Sequence, residues 1–179
     1  IKGRRPVGST WAFDVKRRAD GTIERYKARL CAQGFSQIYG HDYDITYSNT
    51  VRYSTLRIMF SIAAARNYIL SGADIKTAYL NGYIEEGRTL YMRQARGYQE
   101  TDSNGNGQVC LLKRSIYGLK QSGICWETRL VEHLKTMGFL QCDVDPCLYK
   151  IETADGIMFM CVYVDDLCMA SSNEIIHRK

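Results

Sequence analysis

Residues Trp11 to Lys16 and Thr22 to Ala32 are strand-like runs, and the Arg17-Arg18-Ala19-Asp20-Gly21 segment between them carries an Asp-Gly turn signal. Together they predict a basic β-hairpin, on whose second strand Lys27 and Arg29, two positions apart, face the same way. A polar, tyrosine-rich connection over 39–53 leads to Ser54, which suits a helix N-cap, and Leu56, Met59, Phe60 and Ala63 follow at helical spacing. The helix is expected to end near Asn67, and a short strand over 68–75 carries Asp74 towards its C-terminal end. Residues 101–108 are polar and hold two Asn-Gly steps, the mark of a surface loop. Cys125, Trp126, Leu130, Leu134 and Met137 then trace an amphipathic helix that should lie against a sheet and close at Gly138. Finally, runs over 147–152 and 157–164 pair across Thr153-Ala154-Asp155-Gly156, and Asp165-Asp166 stands before a further apolar run, Leu167 to Ala170. Two adjacent aspartates between such runs mark a hairpin tip, because an ionised carboxylate inside a sheet core is costly unless paired or metal-bound. No internal repeat interrupts this layout.

Composition narrows the class. With 179 residues, 45% hydrophobic, 24% charged and two prolines, the chain is a folded protein of one or two small domains. The net charge of +5 is concentrated in the first thirty residues, at Lys2, Arg4, Arg5, Lys16, Arg17, Arg18, Arg25, Lys27 and Arg29. That clustering suits a polyanionic partner, although a solvated surface accounts for the charge equally well. Seven cysteines form an odd set without a Cys-x-x-Cys pair and several lie in apolar runs, which argues for buried free thiols rather than disulfides or a zinc site. No secretory signal and no apolar stretch of about 18 residues is present, so a reducing intracellular compartment and no membrane contact are expected. The chain opens on Ile1 and stops thirteen residues after Asp166, and is expected to be a piece of something longer.

Asp74, Asp165 and Asp166 carry the candidate chemistry. Hard divalent cations take oxygen ligands, and phosphoryl transfer favours two such ions a few Å apart, one activating the attacking hydroxyl and one neutralising the leaving pyrophosphate. Aspartates brought together from neighbouring strand ends supply such a site. Spacing alone leaves a second reading open, because an Asp-Asp pair at a solvated turn is common in proteins that bind no metal.

The strings around these residues add context. Arg25-Tyr26-Lys27-Ala28-Arg29-Leu30, Asp74-Ile75-Lys76-Thr77-Ala78-Tyr79-Leu80-Asn81-Gly82, Ser115-Ile116-Tyr117-Gly118-Leu119-Lys120-Gln121-Ser122 and Tyr163-Val164-Asp165-Asp166 resemble, in this order, reverse transcriptases of copia-type (Pseudoviridae) LTR retrotransposons. Ala32-Gln33-Gly34-Phe35, Asp42-Tyr43-Asp44, Tyr91-Met92 and Asp145-Pro146-Cys147 extend the resemblance over the whole chain. It implies an α+β fold, the fingers and palm of a right-hand polymerase, with an antiparallel sheet and helices packed on one face. Residues 1–70 would be the fingers-like region and 71–179 the palm-like region, with primer grip, thumb and RNase H outside the chain.

The same resemblance implies templated addition of deoxynucleotides to a primer 3′ end. Asp74, Asp165 and Asp166 match the family's catalytic, metal-binding aspartates, served by two Mg²⁺ ions with Mn²⁺ as a substitute. Tyr79 falls where the family places an aromatic ring beneath the incoming sugar, with core packing as the plainer alternative. Lys27 and Arg29 match the fingers cations that hold the triphosphate, which of the two reaches it being open. Gly118, Lys120 and Gln121 match the motif flanking the nascent base pair, although Gly118 could serve backbone angles alone. Implied partners are an RNA or DNA primer-template, dNTP and the polyprotein's integrase, protease and RNase H, in a cytoplasmic virus-like particle with later nuclear entry of the cDNA complex. Departures from the family's pattern occur at Ser48-Asn49-Thr50-Val51, Gln94-Ala95-Arg96-Gly97 and Ser122-Gly123-Ile124. They leave a second reading, an inactive remnant that acts as a basic nucleic-acid-binding module.

Overall fold

A computed structural model describes residues 5–178, so the expected basic positions Lys2 and Arg4 lie outside the described residues. The described chain forms two compact units, each drawn from two stretches of sequence. One contains the residues through Tyr47 together with Tyr79–Trp126; the other contains Ser48–Ala78 and the residues from Glu127 onward. Neither coincides with the expected blocks 1–70 and 71–179, because chain order does not decide pairing: Ile69–Asp74 finds its strand partner about a hundred residues later.

In the first unit, β1 (Ser9–Arg17) and β2 (Ile23–Ala32) pair antiparallel from Ser9↔Ala32 to Arg17↔Ile23, with a register shift at Lys16/Arg17. The turn is as expected: Gly21 takes a positive φ of 84° and its N–H donates to the Arg18 carbonyl. Two four-residue strands, β4 (Leu90–Arg93) and β5 (Val109–Leu112), form a second antiparallel pair. Neither is legible in the sequence, since four residues give too little periodicity to read. The polar 101–108 tract between them is exposed, and the Asp102 carboxylate accepts from the backbone N–H groups of Asn104 and Asn106. Val7, Ala32, Leu90, Met92 and Leu119 form the core of this unit, with Leu30, Ile84, Leu112 and Ile116 packed against them.

The second unit holds β3 (Ile69–Asp74), β6 (Leu140–Gln141), β7 (Leu148–Thr153), β8 (Gly156–Tyr163) and β9 (Asp166–Ser171), which form one antiparallel sheet in the order β3-β9-β8-β7-β6. Helix α1 (Tyr53–Arg66) packs on β8 and β9 through a core of Val51, Met59, Ala63, Cys147, Cys161 and Ala170. Each large apolar side chain removed from water in such a core contributes about 1.5–3 kcal/mol. The short α3 (Glu174–His177) is capped by the Asn173 side chain, which accepts from Ile175 N and Ile176 N. Helix α2 (Ser122–Thr136) starts in the first unit and continues in the second; Leu130 and Leu134 on its apolar stripe are buried, and Gly138 follows at φ 89°.

Two further expectations do not hold. Ser54 is not the cap of α1: the helix begins at Tyr53, its N-cap Arg52 offers no side-chain bond, and Asp145 supplies the acceptor from a distant loop. The cysteines are all free, but Cys125, Cys147 and Cys161 alone are buried, while Cys31, Cys110, Cys142 and Cys168 are partly exposed. Strand alternation turns a thiol outwards wherever the run has a solvent face. For Cys147 and Cys161 burial pushes the thiol up to about 12, so both are protonated and inert.

Candidate active site

In the second unit the register of β3 with β9 sets Asp74 directly across from Asp166. Ile75 N–H donates to the Asp165 carbonyl at 2.8 Å, in the same register. Bonded and non-bonded pairs alternate along an antiparallel ladder, so Asp74 and Asp166 form a non-hydrogen-bonded pair, whose Cα atoms approach to about 4.5 Å. Both side chains are exposed, at the sheet end where β3 stops and the β8–β9 hairpin turns. Like charges directly opposite each other destabilise a sheet, and a cation between them removes that repulsion.

Asp165 stands differently. It is half-buried and occupies the two-residue turn Val164-Asp165, whereas Asp166 is already the first residue of β9. Among the described residues no three His, Cys, Asp or Glu side chains form a metal-holding group, so the three aspartates are neighbours along the backbone without converging as a carboxylate cluster. Successive residues on an extended chain point to opposite sides, which is why Asp166 rather than Asp165 faces Asp74. The turn is conformationally constrained: Val164 has φ 56°, in the left-handed region that β-branched residues rarely adopt. Two exposed carboxylates paired across the strands offer the hard oxygen ligands and solvent access that fit a divalent cation at Asp74 and Asp166.

The remaining candidates belong to the first unit. Arg29 and Lys27 share one face of β2, opposite Ala12 and Asp14. The Arg29 guanidinium lies 5.9 Å from the centre of the Tyr117 ring, and Tyr117 meets Tyr79 edge-on, with centroids 5.2 Å apart at 78°. Arg29, Tyr117 and Tyr79 therefore form a continuous row. The Ser115 hydroxyl donates to the Tyr79 carbonyl and fixes the single-turn 3-10 helix, Ala78–Asn81, that carries the ring.

Gly118 has φ 87°, and a Cβ there would stand 2.2 Å from the Ala32 carbonyl oxygen. The close approach is held by Ala32 N–H donating to Tyr117 O and Gly34 N–H donating to Gly118 O. Lys120 is exposed, its Nζ 5.4 Å from the centre of the Tyr43 ring. Gln121 is 1% exposed; its Nε2 donates to the Asp42 carbonyl and its Oε1 accepts from Gln37 Nε2. Both ends of that amide are committed inside the protein, so Gln121 ties the loop at 37–42 to the start of α2. Tyr117, Ser115 and Gln37 carry no sequence signal for these contacts, which join elements far apart in the chain.

Comparison with known proteins sets this geometry in a family. The model for reverse transcriptase (RNA-dependent DNA polymerase) matches residues 1–178. The retrovirus-related Pol polyprotein from transposon RE2 of Arabidopsis thaliana is 34% identical over 170 residues, covering 95% of this chain and 11% of that protein. The corresponding polyprotein from transposon TNT 1-94 of Nicotiana tabacum is 34% identical over 97% of this chain and 13% of its own length. The Ty1-NL2 Gag-Pol polyprotein of Saccharomyces cerevisiae is 33% identical over all of this chain and 9% of its own length. The chain thus spans about a tenth of the curated relatives it matches. No helix among the described residues is long and apolar enough to cross a membrane. On the strength of the family match and the copia-type Pol relatives, this chain belongs to the reverse transcriptase (RNA-dependent DNA polymerase) family.

Proposed function

We propose that the chain is the part of an RNA-directed DNA polymerase that carries its nucleotidyl-transfer site, within a copia-type Pol polyprotein. The observation that carries this reading is the Asp74↔Asp166 register in a chain of this family. The unit holding the basic β1–β2 hairpin corresponds to fingers and the unit holding the five-stranded sheet to palm. In the reaction the primer 3′ oxygen bonds to the α-phosphorus of a dNTP, its proton is lost, and pyrophosphate leaves.

Asp74 and Asp166 would hold the divalent cation, Mg²⁺ or Mn²⁺, with Asp165 as the third carboxylate beside them. Such ions, when bound, supply positive charge to the phosphoryl oxygens and lower the pKa of the attacking hydroxyl. Arg29 is the better placed of the two fingers cations to grip the triphosphate, being in a row with Tyr79, and guanidinium meets phosphate bidentately. Tyr79 lies under the sugar and excludes a 2′-hydroxyl, and Lys120 with the Gly118 backbone flanks the base pair. Gln121 acts by positioning that segment. Primer-template, dNTP and the remaining Pol domains (integrase, protease and RNase H) are the partners, in a cytoplasmic particle.

The test is Mg²⁺- or Mn²⁺-dependent dNTP incorporation on a primed RNA template by the full-length polymerase. Asp74→Asn, Asp165→Asn and Asp166→Asn are each expected to abolish it, and incorporation at the parental rate in any of them contradicts the role given to that residue. The rival reading, an inactive nucleic-acid-binding remnant, requires salt-dependent primer-template binding without any metal-dependent dNTP binding.

A further inference from the structure

Asparagine followed by glycine is the dipeptide most open to deamidation, and the chain holds three such steps, Asn81-Gly82, Asn104-Gly105 and Asn106-Gly107. The nucleophile is the glycine's backbone nitrogen, so what each N–H does in the fold decides which step reacts. No side chain screens a glycine nitrogen, and its backbone turns freely towards the asparagine side chain.

Asn81-Gly82 is closed to this chemistry. Gly82 is buried, its N–H donates to the Tyr79 carbonyl at 3.3 Å, and a Cβ there would stand 2.7 Å from the Cys125 carbonyl carbon and the Trp126 nitrogen, so the segment has no room to move. Asn104-Gly105 lies in the exposed connection between β4 and β5, but the Gly105 N–H donates to the Asp102 carbonyl at 3.0 Å. That bond must break before the nitrogen attacks.

Asn106-Gly107 differs from both. Thr101 and Gly107 face each other as an isolated antiparallel bridge, and the hydrogen bonds run on either side of them, from Asp102 N–H to Asn106 O at 2.9 Å and from Gln108 N–H to Glu100 O at 3.1 Å. Gly107 is thus a non-hydrogen-bonded member of the ladder, with its N–H turned away from the partner segment. The residue is exposed, and nothing lies within 4 Å of a Cβ built on it. The Asn106 side chain has a single hold, from its Nδ2 to the Asp102 carboxylate at 3.2 Å in an exposed turn.

We infer that Asn106 is a spontaneous modification site, at which the β4–β5 connection deamidates. Gly107 N loses its proton to hydroxide and bonds to Asn106 Cγ; the Cγ–Nδ2 bond breaks, and ammonia leaves with a proton taken from water. Water then opens the cyclic imide at either carbonyl, giving aspartate where the new N–Cγ bond breaks and isoaspartate where the original peptide bond breaks. Either product sets a carboxylate where an amide donated to Asp102, so an attraction becomes a like-charge repulsion. Isoaspartate also adds a methylene to the backbone inside the turn that the Asp102 N–H to Asn106 O bond closes. The site is independent of the function proposed above.

The experiment incubates the full-length polymerase at mildly alkaline pH, folded and in urea, and follows its tryptic peptides by mass spectrometry, with isoaspartate located by fragmentation. The peptide Gly97–Lys113 carries both exposed steps and Thr77–Arg88 the buried one. In the folded protein Asn106 is expected to react about fivefold faster than Asn104, the factor that one hydrogen bond supplies, while Asn81 stays intact. Urea is expected to bring the three close to a common rate. Gly107→Ala, whose added methyl meets nothing and whose backbone is not left-handed, is expected to remove most of the reaction at Asn106 and to leave Asn104 as in the parent. In the modified protein the Asp102 and Gln108 amides are expected to exchange hydrogen faster than in the parent. A folded-state rate at Asn104 equal to or above that at Asn106, an Asn106 that survives as long as Asn81, or an order among the three that persists unchanged in urea overturns the inference.

Discussion

Asp145 shows what one residue does for the second unit. It is 2% exposed, one carboxylate oxygen accepting from Arg52 N and the Thr55 hydroxyl and the other from Cys147 N, so it caps α1 and fixes the entry to β7 together. Burial pushes its carboxyl up, but the bonds from Thr55, Cys147 and Arg52 and the charge of Arg52 outweigh this and hold it below its ordinary value of 3.8. A depressed folded-state value means the unfolded chain binds the proton more readily. Its contribution is therefore complete above about pH 4–5 and is lost as pH falls through 3.8 and below. Asp145→Ala is expected to cost about 2–3 kcal/mol in urea unfolding at neutral pH, and to flatten the acid limb of the stability curve. Gly118→Ala is expected to cost more than about 3 kcal/mol, because the added Cβ meets the Ala32 carbonyl at 2.2 Å and the backbone is left-handed there. The backbone angles of Gly118 were among the readings the sequence offered, but its contact with Ala32 was not, and Asp145 stands in the sequence only as part of the Asp145-Pro146-Cys147 string, with no signal of its partners. Contacts made ninety residues apart leave no local pattern.

Elements carry the next level. The two hairpins with Asp-Gly turns, the two long helices and the strand ending at Asp74 were all readable, because each has a long period or a strong turn signal. The short β4, β5, β6 and α3 were not, since two to four residues make no period. Within the site, sequence order placed Asp165 and Asp166 together at the tip, and pairing separates them into a turn residue and a strand residue. The row Arg29–Tyr117–Tyr79 joins β2, the segment before α2 and a 3-10 turn, and no spacing rule links those three. With the proposed function, Tyr117→Ala is expected to raise the KM for dNTP and to reduce selection of dNTP over rNTP about tenfold, with kcat less affected. Tyr117→Phe keeps the ring contacts and is expected to match the parent; an unchanged selectivity in Tyr117→Ala would remove Tyr117 from substrate positioning.

At the scale of the whole molecule, the function proposed above assigns the hairpin cations to holding a polyanion and the carboxylates at the sheet end to nucleotide transfer. Replacing both Lys27 and Arg29 by alanine is expected to lower the salt slope of primer-template or dNTP binding by about one for each phosphate that is no longer neutralised. The most direct test of the account is Mn²⁺ binding in the presence of dTTP, followed by electron paramagnetic resonance. The parent is expected to bind the ion, and Asp74→Asn and Asp166→Asn each to lose at least tenfold in affinity, with the double variant no worse than the weaker single one. Mn²⁺ affinity that is unchanged in both single variants would contradict the claim that this cross-strand pair is the metal site.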